Sequence, residues 1–278
     1  MEMKQIKGLK RNTIDKFYTK DSVVELCLNH ITKFIDIDKK NDLIIEPSSG
    51  NGSFISGIKM LSSNFKFFDL EPENIEIVKQ DYLELEHKNL KNEYYNIHII
   101  GNPPFGRQSS LAIKFIKKSC EFCDSLSFIL PKSFKKDSLK KRFPLNFHLI
   151  FEIDLPNKSF LVDGKEHDVP CVFQIWQKKI YNRVQNKNLE PIHFKFVEKI
   201  DDPDISFRRV GINAGKIDIN IDEKSIQSHY FIKFTNNKSI NENIEKLSQI
   251  IYDTDNTVGP KSISKQELIL QFNPLLDY

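Results

Sequence analysis

The 278 residues suffice for one large domain or two modest ones, and a hydrophobic content of 39% excludes a disordered chain. Lys and Arg number 41 against 38 Asp and Glu, so the formal net charge is only +3 and any polyanion-binding surface must be local. Four cysteines make no disulfide framework in a chain of this size, and no leader-like segment or apolar run of membrane length is present, so an intracellular, cytoplasmic or nucleoid/nuclear location without membrane contact is expected.

Residues 1–12 are basic and expected to be loose. After Phe17-Tyr18-Thr19, positions Val23, Val24, Cys27, Ile31 and Phe34 recur at helical spacing, and Ser22 with Glu25 fits a capping box for a helix over 22–34. Leu43-Ile44-Ile45-Glu46 reads as a strand ending in an acid. It leads through Pro47-Ser48-Ser49 into Gly50-Asn51-Gly52, then into a helix carrying Ile55, Ile58 and Leu61. Gly50 and Gly52 permit positive φ and close approach of a ligand to backbone. A dinucleotide turn would want a third glycine, which is not in register.

Residues 65–72 read as the next strand, with Asp69 at its tip, 19 positions beyond Gly50, where a carboxylate grips ribose hydroxyls in nucleotide-binding βαβ units. Residues 75–79 suggest a third short strand, followed by Asp81 and Tyr82. The β-branched run 97–100 then predicts a buried parallel strand that stops at Gly101-Asn102-Pro103-Pro104-Phe105-Gly106. Two prolines fix φ, Asn102 is biased to extended geometry, and Phe105 adds a flat apolar face. An amide oxygen beside donor-free proline backbone suits a planar amine. Hydrogen bonds from that amine to Asn102 and to the Pro103 carbonyl favour a pyramidal nitrogen able to attack, while Phe105 stacks on the ring.

A helix follows over 111–123, containing Cys120 and Cys123, whose spacing reads as core because no second pair completes a zinc site. A strand over 127–131 ends at Pro131. Residues 132–142 carry six basic side chains against Asp137 alone, as either a solvated helix face or a phosphate-contacting rim. Two further strands are expected over 148–155 and 169–177, with Phe160 between them. From residue 182 the pattern changes to a polar linker and alternating strands in which Arg208, Arg209 and Lys216 mix with aromatics, as in a substrate-reading appendage. A helix over 240–251 is expected near the end. No metal-binding pattern is present.

Asn102-Pro103-Pro104-Phe105 resembles motif IV of the class I S-adenosylmethionine-dependent amino-methyltransferases, and other motifs of that family fall in order around it over roughly residues 15–180. The resemblance implies an α/β, Rossmann-like seven-stranded catalytic domain over 1–181 and a small target-recognition extension over 182–278. It implies S-adenosylmethionine as cofactor. Phe17, Tyr18 and Thr19 match the motif that meets its methionine end. Glu46 faces its amino group, Pro47, Ser48, Gly50 and Gly52 form the turn beneath it, Asp69 and Leu70 meet the ribose, and Asp81 and Tyr82 meet the adenine. Phe160 matches a position that holds a flipped base.

The motif order, with the extension last, resembles the adenine-N6 group acting on nucleic acid, with DNA expected before RNA. The target base must leave its stack to reach Asn102. Three other readings are kept: an RNA adenine-N6 or guanine-N2 enzyme, which Asn-Pro-Pro-Phe-Gly also resembles; a protein glutamine methyltransferase, whose recognition domain precedes the glycine turn, where this chain has only about forty residues; and an inactive cofactor-binding partner subunit, against which the intact Asn102, Glu46 and Gly52 argue.

Overall fold

A computed structural model describes residues 17–185, 187–252 and 261–277. The basic segment 1–12 lies outside the described residues, as do Asp15 and Lys16. The chain divides into two compact units between Arg183 and Val184, close to the expected boundary at 181/182.

The first unit runs β1 (Tyr18–Thr19), α1 (Asp21–Phe34), β2 (Leu43–Glu46), α2 (Ile55–Leu61), β3 (Asn64–Asp69), β4 (Val78–Lys79), α3 (Leu90–Glu93), β5 (Ile97–Gly101), α4 (Ser110–Cys120), β6 (Ser125–Pro131), α5 (Asp137–Lys140), β7 (Phe147–Asp154), β8 (Phe160–Val162), β9 (Lys165–His167) and β10 (Cys171–Lys178). Seven strands form one sheet in the order β4-β3-β2-β5-β6-β10-β7. The five from β4 to β6 are parallel, and β10 inserts antiparallel to both β6 and β7. This is the α/β, Rossmann-like seven-stranded sheet that the sequence leads one to expect. Strands β2 and β5 are buried on both faces, which is why they read as continuous apolar runs rather than alternating ones. Leu43, Ile45, Ile97 and Ile99 pack toward α4 with Phe115 and Ile116, while Ile44 and Ile100 pack toward α1 and α2 with Cys27, Ile31 and Ile58.

A second, three-stranded sheet has the order β1-β8-β9. Thr19 pairs with Phe160 and Tyr18 with Leu161, and the Lys20 N–H donates to the Ser159 carbonyl at 3.1 Å. That pairing explains one departure from expectation. Helix α1 begins at Asp21 with Lys20 at its cap and no side-chain cap bond, so the Ser22–Glu25 box does not form. The β1 pairing delivers the chain into the helix one residue early. A second departure is at 75–79. Only Val78 and Lys79 form a strand, because the Ile77 N–H turns back onto the Asn74 carbonyl and leaves Ile75 fully exposed.

The second unit holds a four-stranded antiparallel sheet, β11 (Phe194–Val197), β12 (Ile205–Arg208), β13 (Ile217–Asp218) and β14 (His229–Phe234), in the order β11-β14-β12-β13. Helices α6 (Ile240–Leu247) and α7 (Lys265–Leu276) complete a core built on Phe194, Phe207, Ile232, Leu268 and Phe272. The sequence reading missed α7. Its signals are present: Ser264 and Glu267 form a full capping box, and Leu268, Ile269, Phe272 and Leu276 follow at helical spacing.

Candidate active site

Strand order reverses between β2 and β5, and ligands of open α/β sheets bind outside the carboxyl ends of strands at such a point. A cavity of about 500 Å³ lies there. Glu46 ends β2, Asp69 ends β3, and Asn102 follows the last residue of β5. Every residue that the sequence assigns to the cofactor and catalytic motifs lines this cavity except Gly52, which shapes the turn beneath it. Glu71, which the sequence offers as a less favoured substitute for Asp69, also lines it, as do Glu73 and Gln80, which were not anticipated; Glu71 and Glu73 flank Pro72 directly after the expected acid.

The Asn102 carboxamide is oriented by its surroundings. Its nitrogen donates to the Phe17 carbonyl at 3.2 Å and to the Thr19 hydroxyl at 3.3 Å. A carbonyl can only accept, so the nitrogen must face β1 and the oxygen must face away. That oxygen, Oδ1, is buried and has no hydrogen-bond partner. The backbone carbonyl of Asn102 accepts from the Ser48 hydroxyl at 3.2 Å, tying the loop to the glycine turn. Pro103 and Pro104 bring no N–H groups to compete for the acceptor. Gly101, with φ +150°, precedes the loop; a Cβ there would lie 3.2 Å from Glu46 Cγ. On the far side of the loop the Phe105 carbonyl accepts from the N–H groups of Leu111 and Ala112, anchoring it to the start of α4.

The rest of the cavity is acidic. Glu46, Asp69, Glu71, Glu73 and Asp81 line it, and among the described residues its lining contains no Lys or Arg. A dinucleotide pyrophosphate would be repelled, whereas a cation is attracted. Glu46 is 2% exposed, and its Oε2 is buried without a partner. Burial pushes its carboxyl up to about 8, with the Asp69 charge adding to the rise. Asp69 accepts from the Gly50 N–H and the Glu71 N–H, each at 2.8 Å, so it braces the glycine turn as well as facing the cavity. Tyr18 donates its hydroxyl to Glu73. The donor set fits S-adenosylmethionine: carboxylates for its sulfonium and ammonium charges and its hydroxyls, and apolar walls from Phe54, Leu83 and Phe115 for its nucleoside.

Several expected ligand contacts are redirected by the structure. Tyr82 touches the cavity wall, but its ring is in the core, stacked on Phe115, with its hydroxyl bonded to Ser119 at 2.8 Å. Asp81 accepts from the Leu83 N–H and caps a single 3-10 turn, and that turn drives Tyr82 inward. Tyr82 is therefore not a free plate for an adenine. Phe160 is 1% exposed, paired with Thr19 and edge-on to Phe17, and plugs the small sheet instead of holding a base. In the basic segment, Lys132 and Lys135 pair with Asp154 and Lys140 with Glu152.

In the second unit Arg208 is spent on the Val210 carbonyl and the Ser228 hydroxyl. Arg209 lies over the Tyr230 ring and donates to the Gln227 carbonyl, and Lys216 is exposed. All four cysteines are free and buried, as expected of core residues. Among the described residues no group of three or more His, Cys, Asp or Glu is arranged to hold a metal, and no helix is long and apolar enough to cross a membrane.

No curated protein sequence matches the chain. Similar solved structures include a protein described as an RNA methyltransferase candidate from Pyrococcus horikoshii, 16% identical over 63% of this chain and 93% of that one, with a TM-score of 0.44. Another is a class I S-adenosylmethionine-dependent methyltransferase candidate from Listeria monocytogenes, 16% identical over 61% of this chain and 63% of that one, also at 0.44. The 23S rRNA methyltransferase ErmE is 11% identical over 62% of this chain and 73% of that one, again at 0.44. Identities and scores this low carry nothing about substrate. The sequence profile of the EDM2 methyltransferase-like domain matches residues 39–188, the stretch that supplies the glycine turn, all five acids of the cavity and the Asn-Pro-Pro-Phe loop. That match spans more than half of the chain, and the chain belongs to the EDM2 methyltransferase-like domain family.

Proposed function

We propose that the chain transfers a methyl group from S-adenosylmethionine to the exocyclic N6 amine of adenine in nucleic acid, with DNA as the expected polymer. The observation that carries this reading is the Asn102 carboxamide, on a residue that lines the cavity: its nitrogen is held by Phe17 and Thr19 while its oxygen is buried and unpartnered. A buried acceptor without a donor is costly, and a substrate NH2 group supplies the donor. The bound cofactor supplies an electrophilic methyl group. Asn102 Oδ1 and the Pro103 carbonyl accept from the amine, which draws its lone pair out of conjugation with the ring. Phe105, half-buried on the cavity wall, offers a face for the purine. Once methylated, the amine nitrogen is strongly acidic and loses its proton to water, so no dedicated base is needed. A base inside a duplex cannot align with this loop, so the target is extruded.

The test is labelled-methyl transfer to DNA, to total RNA and to protein extract, followed by nucleoside and amino-acid analysis. N6-methyladenine in the nucleic-acid digest is expected. Asn102→Ala should keep cofactor affinity within a few-fold and lose about 10²–10³ in rate, the usual cost of one preorganised polar contact at a reacting centre. N2-methylguanine or methylglutamine as product would replace the substrate while keeping the loop chemistry. Full activity in Asn102→Ala would remove the loop from the reaction.

A further inference from the structure

Thr19 is expected from its motif to meet the methionine end of the cofactor. Its position gives it another task. Its hydroxyl is 3.3 Å from Asn102 Nδ2, it is 5% exposed, and it sits on a two-residue strand zipped to Phe160 and Leu161. The neighbouring Phe17 carbonyl is 3.2 Å from the same nitrogen. We propose that Thr19 is a positioning residue that, with the Phe17 carbonyl, fixes the orientation of the Asn102 carboxamide so that its oxygen alone faces the target amine.

The physical reason is an ambiguity in the loop itself. The two ends of a carboxamide are nearly equal in size, and a half-turn about its last bond exchanges acceptor for donor. Presented nitrogen-first, Asn102 would repel an incoming NH2 group. The prolines fix the backbone of the loop but leave that torsion open. The Phe17 carbonyl, which can only accept, selects the orientation, because the flipped state would set Asn102 Oδ1 against it and forfeit that bond; the Thr19 hydroxyl, which can donate or accept, holds the selected orientation as a second acceptor. The β1–β8–β9 sheet sets where those acceptors stand. Pairing of Thr19 with Phe160 and the Lys20–Ser159 bond hold β1 in place, and the edge-on contact between Phe17 and Phe160 fixes its outer end. The buried position of Phe160 thereby gains a purpose, because it supports the strand that orients the catalytic amide.

The inference rests on the methyl-transfer reading for its kinetic consequence but not for its geometry, so the test has two arms. In the full chain, Thr19→Val keeps the shape of the side chain and removes the acceptor. With labelled S-adenosylmethionine and the acceptor found above, kcat should fall about five- to tenfold, the scale of one neutral hydrogen bond, with the cofactor KM unchanged within twofold. Thr19→Ser should recover most of the rate, and Thr19→Val added to Asn102→Ala should cost nothing further. A raised cofactor KM with unchanged kcat would overturn the proposal and return Thr19 to the cofactor.

The second arm needs no turnover. The side-chain amide of Asn102, assigned by its loss from the 1H–15N spectrum of Asn102→Ala, should exchange slowly with solvent in the wild type and several-fold faster in Thr19→Val. An unchanged amide signal in Thr19→Val overturns the positioning role whatever the substrate is. A shifted and faster-exchanging amide, in a protein that methylates something other than adenine, supports the positioning role and refutes only the substrate.

Discussion

Burial holds the proton on Glu46 near neutrality, where an ordinary glutamate has lost it. The folded chain keeps that proton until about pH 8, whereas the unfolded chain loses it near the ordinary value of 4.5. Between those limits the folded state binds more protons, so this group's contribution to stability is fully present below 4.5 and is lost as pH rises through 8. A cationic ligand reverses the preference, since it favours the carboxylate. Cofactor binding should therefore expel a proton, and affinity should rise by up to about tenfold per pH unit toward pH 8, then level off. Titration calorimetry in buffers of different ionisation enthalpy reads the released proton directly. In Glu46→Gln both the proton release and the pH dependence should vanish; release that survives in the variant would place the titrating group elsewhere. The sequence gives the position of Glu46 at a strand end. It does not give the missing partner of Oε2, which follows from packing against Gly101 and the neighbouring strands.

Strands in this protein were legible wherever one composition served both faces, as in Leu43-Ile44-Ile45 and, but for His98, in Ile97 to Ile100, because burial on both sides favours apolar residues at every position. Edges were not. Ile75 and Ile77 have strand-like chemistry, but an edge with two paired residues is set by the turn at Asn74. His98 shows what a period cannot reveal. It is a polar residue within a fully buried strand, and Asp42 and Ser125, from the starts of the neighbouring strands' segments, satisfy it. Its Nε2 lies 3.2 Å from Asp42 Oδ2 and its Nδ1 2.7 Å from the Ser125 hydroxyl. Despite the Ser-His-Asp composition, all three are buried, and Asp42 also accepts from the backbone and side chain of Asn96. This is a structural clasp at the end of the sheet opposite the cavity.

Burial lowers the pKa of His98 below its ordinary 6.5, against the pull of Asp42. The neutral ring then donates from Nε2 to Asp42 and accepts at Nδ1 from Ser125. The unfolded chain binds the extra proton first, so stability should be full above pH 6.5 and fall as pH drops below it. Urea midpoints measured from pH 7.5 to 5 should decline in the wild type. They should flatten in His98→Gln, from a lower starting value; an identical decline in both proteins would assign the slope to other groups.

At the scale of the whole molecule, two charge distributions oppose each other within a net charge of +3. The cavity is lined by five acids, while the basic residues that the sequence assigned to phosphates are partly used for internal contacts. Lys132, Lys135 and Lys140 neutralise Asp154 and Glu152, and Arg208 braces its own hairpin. Spacing along a chain shows a basic run, but only the fold shows which acids face it, so fewer of these basic residues are available to a phosphate than the run suggests. Arg209 and Lys216 remain the best-placed candidates of that set. Nucleic-acid affinity should consequently depend on salt only moderately, with a log–log slope of about −2 to −4. Cofactor affinity should fall much less over the same range, because it rests on a few contacts shorter than the screening length and displaces no condensed counterions. Arg209→Ala should reduce the slope by about one unit while leaving the melting temperature unchanged within a few degrees. Arg208→Ala should act the other way, lowering the melting temperature through the loss of its bonds to Val210 and Ser228. Fluorescence anisotropy of a labelled oligonucleotide across 50–300 mM salt, beside thermal unfolding of the same variants, separates the two roles. A slope near zero would move the substrate away from nucleic acid, and a slope steeper than about −6 would require a basic surface larger than Arg209 and Lys216 can provide.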